Sequence, residues 1–187
     1  SRLEQARIGG FDLGTLDTGL HPLPLLLGRA RIGFARAEGG GPTPLSGALE
    51  MGPGRRVVDQ LSGTITASGP MELPIEKISF DQVSVHFSDG QCRSASGKVQ
   101  LMLAVRIAGL DLRNGLSGEA RCEGRALFIP LIGQSGMEKL NLTINGDGSY
   151  EARFGINATD PVTSAALAAA GFSATAEGYY RTVRGRF

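Results

Sequence analysis

The sequence predicts a mainly β protein: a strongly twisted, curved antiparallel sheet, open or half-barrel-like, with one short α-helix near the C-terminus. Three observations predict it. Apolar and polar residues alternate along several segments at the two-residue period of a strand with one buried face. Glycine, at 28 of 187 residues, is scattered between short apolar runs without a collagen-like period, as many strands joined by tight turns require. Asp-Gly and Asn-Gly pairs, the strongest hairpin signals, stand between the runs. Ten or so strands are expected, in a single domain over 1–187; a sheet that long curls rather than staying flat.

The first third is the loosest. ARIGGFDLGTLD (6–17) and GRARIGFARAE (28–38) read as strands joined by GLHPLPLLL (19–27), and GGGPTP (39–44) reads as a loop with a proline-stiffened end. Short strands follow at 45–51 and 61–68. Both begin with Leu-Ser-Gly, and a third copy stands at 116–118, so the triplet is read as a repeated strand start. Three short matches do not establish a duplication.

Residues 75–87, IEKISFDQVSVHF, alternate clearly: Ile78 and Phe80, then Val83, Val85 and Phe87. The register slips between Phe80 and Val83, which predicts a bulge or bend. Asp89-Gly90 makes a hairpin turn. A return strand starts at Cys92, and a long one runs from Lys98 to Ile107 with Val99, Leu101, Leu103 and Val105 on one side. Asn114-Gly115 makes the next turn, and residues 116–133 give two short strands around Gly124.

EKLNLTI (138–144) and SYEARFGI (149–156) flank Asn145-Gly146-Asp147-Gly148, the clearest hairpin in the chain. Leu140, Leu142 and Ile144 face one way, answered by Tyr150, Ala152, Phe154 and Ile156. Asp147 is read as a turn stabiliser. One segment argues for a helix. Asp160-Pro161 supplies a cap and a first-turn proline, VTSAALAAA (162–170) is rich in alanine, and Gly171 ends it. GYYRTVRGRF (178–187) is the last strand.

Composition narrows the function. Hydrophobic content of 41%, charged content of 20% and a net charge of +1 describe a foldable chain. The balance argues against a nucleic-acid partner, which demands a basic surface. No apolar run is long enough to span a bilayer. The chain begins at Ser1 without a methionine, so a signal or membrane anchor is expected to precede it in a longer protein.

Groups for catalysis are sparse. His21 precedes Pro22 in a connection, and His86 lies on the polar side of its strand. Ser135, in GQSG (133–136), is the nearest thing to a nucleophile elbow, but Met137 replaces the second glycine. No cofactor or metal set is legible: Asn145-x-Asp147 is too little for calcium, and two cysteines cannot complete a zinc site alone. The reading is non-enzymatic. Cys92 and Cys122 are a disulfide in an oxidising compartment, or two buried thiols otherwise. Tyr179 and Tyr180 could anchor an interface; the plainer alternative is a strand with one ring buried.

An ordered set of features carries a resemblance. Leu-Ser-Gly at 116–118 and Cys-Glu-Gly at 122–124 precede an apolar strand, followed by Gln-Ser-Gly-Met-Glu at 134–138. The Asp-Gly-Ser-Tyr hairpin at 147–150, Asp-Pro at 160–161, the alanine-leucine helix, Gly-Phe at 171–172 and the closing Gly-Tyr and Gly-Arg-Phe complete the series. Upstream, FSDGQCRSASGKVQL (87–101) and ARIGGFDLGTLDTGLHPLPLLLGRARI (6–32) also fit. Together they resemble the type II secretion system protein N (general secretion pathway protein N) family over nearly the whole chain, most strongly after residue 61.

The resemblance implies a periplasmic β domain on a single inner-membrane helix. It implies a part in the machine that exports folded proteins from the periplasm across the outer membrane. Expected partners are other secretion subunits, on the inner-membrane platform or the outer-membrane secretin side. It transfers no catalytic residue and no cofactor. It implies export, and hence pairing of Cys92 with Cys122. Open sheet edges template pairing with another chain, so contact through an edge strand or a sheet face is the leading expectation. The alternative is a lipid or other apolar ligand on the concave face.

Overall fold

A computed structural model describes residues 1–8, 11–37, 43–67, 75–104 and 114–186. The strands are β1 (Arg2–Ile8), β2 (Phe11–His21), β3 (Ala30–Arg36), β4 (Leu45–Gly52), β5 (Arg55–Ala67), β6 (Ile75–Ser88), β7 (Gln91–Leu103), β8 (Leu116–Glu119), β9 (Arg121–Glu123), β10 (Ala126–Gly133), β11 (Glu138–Ile144), β12 (Ser149–Ile156), β13 (Ser173–Thr175) and β14 (Gly178–Arg186). Two helices accompany them, α1 (Pro22–Leu25) and α2 (Pro161–Ala169). The strands form one 14-stranded sheet in near-sequential order, with β9 beside β10 and the C-terminal end ordered β12, β14, β13. β2 also pairs with β5 through Phe11 and Asp12, so the first strands wrap back on themselves while the sheet as a whole stays open. The Arg36 guanidinium fastens that wrap. It donates to the carbonyls of Leu13, Thr43 and Thr64 and to the Thr43 hydroxyl.

The sheet bends along a row of bulges. Register shifts fall between Ser46 and Ala48, between Val58 and Gly63, and between Asp81 and Ser84. Gln60 (φ 49°) and Gln82 (φ 50°) take the left-handed conformation there, which adds one residue to a strand and turns it. Each bulged amide would lose its ladder partner, and a serine on the neighbouring strand replaces it. Gln60 N donates to Ser84 Oγ (2.9 Å), and Gln82 N donates to Ser62 Oγ (3.0 Å). The slip read between Phe80 and Val83 is this bulge.

Several expectations need correction. Residues 19–27 hold the end of β2 and the single turn α1, because Pro22 and Pro24 fix helical φ. β5 starts at Arg55 rather than residue 61; the bulge at Gln60 breaks its alternation and hides the first half. β7 is continuous through Gly97, whose φ of +98° faces the Gln82 bulge. Leu-Ser-Gly starts a strand at 45 and 116 but lies inside β5 at 61, where it pairs with the first copy (Leu45↔Gly63, Ser46↔Ser62). Residues 116–133 hold three strands rather than two, because Ala120 separates β8 from β9, and with β13 the described residues hold fourteen strands rather than ten or so. Residues 105–107 of the long strand, 39–42 of the loop, residue 68 and Phe187 lie outside the described residues.

The C-terminal elements match closely. Leu140 faces Phe154, Leu142 faces Ala152 and Ile144 faces Tyr150. Asp147 Oδ1 accepts from Ser149 N (2.9 Å) and Oγ (2.6 Å) inside the turn. Asp160 caps α2 by accepting from Thr163 N (2.8 Å). At the other end, Phe172 N donates to Leu167 O and Gly171 N to Ala168 O, with Gly171 at φ +83°, a Schellman closure. Asp160→Ala is expected to lower stability by about 1 kcal/mol in urea denaturation.

Leu116, Leu131, Ile156 and Leu167 are almost fully buried in one core running from Val83 to Phe172. α2 supplies Leu167, and Phe172 meets the Phe154 ring edge-on at 5.5 Å between centroids. The inner face of the C-terminal half is thus filled by the chain itself. The ladder registers gather the β4–β5, β6–β7, β9–β10 and β11–β12 turns and α1 at one end of the strands, and α2 at the other.

Candidate interaction surface

The structure disperses the residues weighed for catalysis. Ser135 Oγ donates to Glu138 Oε2 (2.5 Å) and accepts from Met137 N (3.0 Å). It closes the turn between β10 and β11, and its hydrogen-bond partner is the buried Glu138. His21 is exposed at the end of β2, and His86 lies on β6. Among the described residues, no group of His, Cys, Asp and Glu side chains could hold a metal ion.

His86 instead joins a cross-strand ion cluster on the polar face of β3 to β6. Glu50, with an 11% exposed side chain, is ringed by Arg55 (2.8 Å), Arg31 (3.7 Å) and Arg29 (4.0 Å), and Arg31 also binds Asp59 (2.6 Å). Arg55 Nη1 lies 2.5 Å from His86 Nε2. A guanidinium only donates, so the ring accepts and is neutral. The Arg55 hydrogen bond holds the Glu50 carboxyl below its usual range. Burial, with the Arg55 charge, pushes the His86 imidazole down.

Both shifts act in the same direction on stability. Below the ordinary imidazole value of about 6.5, unfolded His86 binds a proton that the folded form resists. Below about 4.3, unfolded Glu50 does the same. Stability is expected to fall as pH drops through the first window and further through the second. His86→Gln is expected to flatten the upper part alone, in urea midpoints measured against pH.

The final strand carries the two tyrosines on opposite faces. Tyr179 pairs with Ile156 and packs against the core. Tyr180 lies across Gly155, filling the space a side chain there would need. The Arg153 guanidinium sits 4.2 Å from the Tyr180 ring centroid. Both residues are half-buried, and of the two only Tyr179 packs against the core. Beside them β14 outruns its neighbour. β13 pairs only with Gly178, Tyr179 and Tyr180, whereas β12 pairs with β14 through Arg186. Among the described residues, 181–186 therefore have a strand on one side alone.

The structure shows a second surface that the sequence reading passed over. Leu20, Leu23, Leu25, Leu26 and Leu27 are exposed at the β2–β3 connection, Leu26 by 84% and Leu23 by 76%, with Met51 (61%) on the adjoining end of β4. The signal was present: a connection is usually polar, and this one is made of leucine and proline.

Cys92 and Cys122 form a disulfide, Cα to Cα 5.6 Å, that ties β7 to β9. Among the described residues no helix is long and apolar enough to cross a membrane. No curated protein and no solved structure gives a significant match to the chain. The family model for type II secretion system (T2SS), protein N, matches residues 1–183. The chain, a curved antiparallel sheet matched along nearly its full length, thus belongs to the type II secretion system protein N family, a secretion component.

Proposed function

We propose that this chain works in the periplasm as a contact-making element of the secretion apparatus. The open side of β14 accepts a strand from another secretion subunit and so ties inner-membrane components to the outer-membrane side. The observation that supports this reading is the length mismatch at the C-terminal edge: β14 runs to Arg186 while β13 covers three residues. An edge of that kind is normally guarded by charges or proline. Here Arg184 and Arg186 turn back onto the neighbouring hairpin, and Arg181 turns to the end of α2. Arg184 binds Glu151 (2.6 Å), Arg186 binds Asp147 (2.6 Å) and Arg181 reaches Ala170 O (3.4 Å). Backbone pairing supplies affinity in strand addition, and side-chain pockets supply selectivity; Tyr179 and Tyr180 flank the open stretch. The disulfide suits an oxidising compartment.

Proline at 181 and at 182 tests the reading. Successive residues of a strand present their amides to opposite sides, so one of the two positions faces the open edge. That variant is expected to keep its urea midpoint and to stop secretion in cells that depend on this chain. Unchanged secretion with both variants overturns the reading.

A further inference from the structure

We infer that the leucine-rich turn between β2 and β3 docks on an anionic lipid surface. Single exposed leucines are ordinary, but a contiguous set marks a contact site. Three features select lipid over a folded partner. First, Leu25, Leu26 and Leu27 are consecutive at the end of a helical turn, so they project about 100° apart around the tip. A flat or grooved protein surface covers one side of such a tip, whereas hydrocarbon surrounds it.

Second, the backbone of the tip is largely sealed. Pro22 and Pro24 carry no amide hydrogen. Leu26 N donates to Leu23 O (3.2 Å), Leu27 N and Arg29 N donate to Pro24 O (3.0 Å each), and Gly28 N donates to Leu25 O (3.0 Å). An apolar medium demands such internal pairing. One helical turn is about 6 Å long, which matches the depth to which interfacial segments sink.

Third, the charge fits. Residues 18–37 hold no acidic side chain; of their arginines, Arg31 is engaged by Glu50 and Asp59 and Arg36 by the β2–β5 wrap, which leaves Arg29 beside the tip. Arg29 is 44% exposed just behind the leucines. Arg56 and Arg125 line a cleft between the hairpin turns at the same end of the strands, against the single carboxylate of Asp89 beside Gly54; Asp147 in that cleft is already held by Arg186. Cations bordering an apolar tip draw it to anionic headgroups.

The test needs only the purified chain and vesicles, so its outcome is independent of the β14 reading. The chain has no tryptophan, which makes Leu26→Trp a sole reporter. With vesicles of phosphatidylethanolamine and phosphatidylglycerol, its emission is expected to shift to the blue and to be quenched by brominated lipid. Phosphatidylcholine vesicles or added salt weaken the effect. Trp at the exposed Val162, on α2 at the opposite end, is expected to show no shift. Leu26→Asp with Leu27→Asp is expected to cut vesicle co-sedimentation about tenfold or more at an unchanged melting temperature. Water-like Leu26→Trp emission with every vesicle overturns the inference. So does equal co-sedimentation of the double variant, or a blue shift that grows with protein concentration without vesicles, which would assign the tip to a second copy.

Discussion

Gly118→Ala is expected to destabilise the chain by at least about 3 kcal/mol or to prevent folding. A Cβ on Gly118 would lie 1.7 Å from Pro130 O and 2.8 Å from Pro130 C. Both are backbone atoms, and β11 pins them through the Pro130↔Asn141 pairing. They cannot yield as a side-chain end would. β8 is also the link between β7 and β10, pairing Val99 with Gly118 on one side and Ser117 with Ile132 on the other. The clash therefore falls where the two halves of the sheet join. Gly19→Ala is the control: it also sits in a strand, but no atom lies within 4 Å of its added Cβ. Its urea midpoint is expected to stay near that of the parent. Similar midpoints for the two variants would show that the strands do not approach so closely at Gly118.

Removing the disulfide is the second large effect. The bridge closes a loop with a sequence separation of 30, for which the chain-entropy relation gives about 3–4 kcal/mol. Cys92 is buried and Cys122 packs against the same core, so loss of the sulfurs also loosens packing. Among the described residues, two backbone bonds flank the bridge beyond the β7–β8 ladder. Cys92 N donates to Arg125 O and Ala120 N to Gly97 O, each at 2.9 Å. Urea midpoints with and without reductant measure the effect. The parent is expected to lose stability on reduction, and Cys92→Ala with Cys122→Ala is expected to be low in both conditions. Reductant-independent midpoints in the parent would show that the bridge adds nothing.

Legibility followed the range of the interactions. The β11–β12 hairpin and α2 were readable because their signals are local: alternating side chains, a turn of Asn, Gly and Asp, a capping Asp160 and a closing Gly171. The bulge at Gln82 was readable because a one-residue slip moves Val83 to the opposite parity from Phe80. The same slip at Gln60 hid the start of β5, since Arg55, Arg56 and Asp59 left no clean alternation there. The β2–β5 closure depends on Arg36 reaching carbonyls far along the chain, which no local pattern encodes. His86 read as a surface residue because its strand parity is polar; the partner that draws it into the ion cluster, Arg55, lies 31 residues away. The leucine tip was visible in composition but lay in a connection, where apolar residues are not sought. The free stretch of β14 needed the length of β13, a three-residue strand of exposed side chains with no apolar signal.

Photo-cross-linking in cells from the open edge tests the contact-making role most directly. A photoreactive residue replaces Arg184 on β14, and Asn141 on the internal strand β11 serves as the control. The expected result is an adduct between position 184 and an identified subunit of the secretion apparatus, with none from position 141. Functional secretion with no adduct at 184, or with equal capture from both positions, would contradict the account.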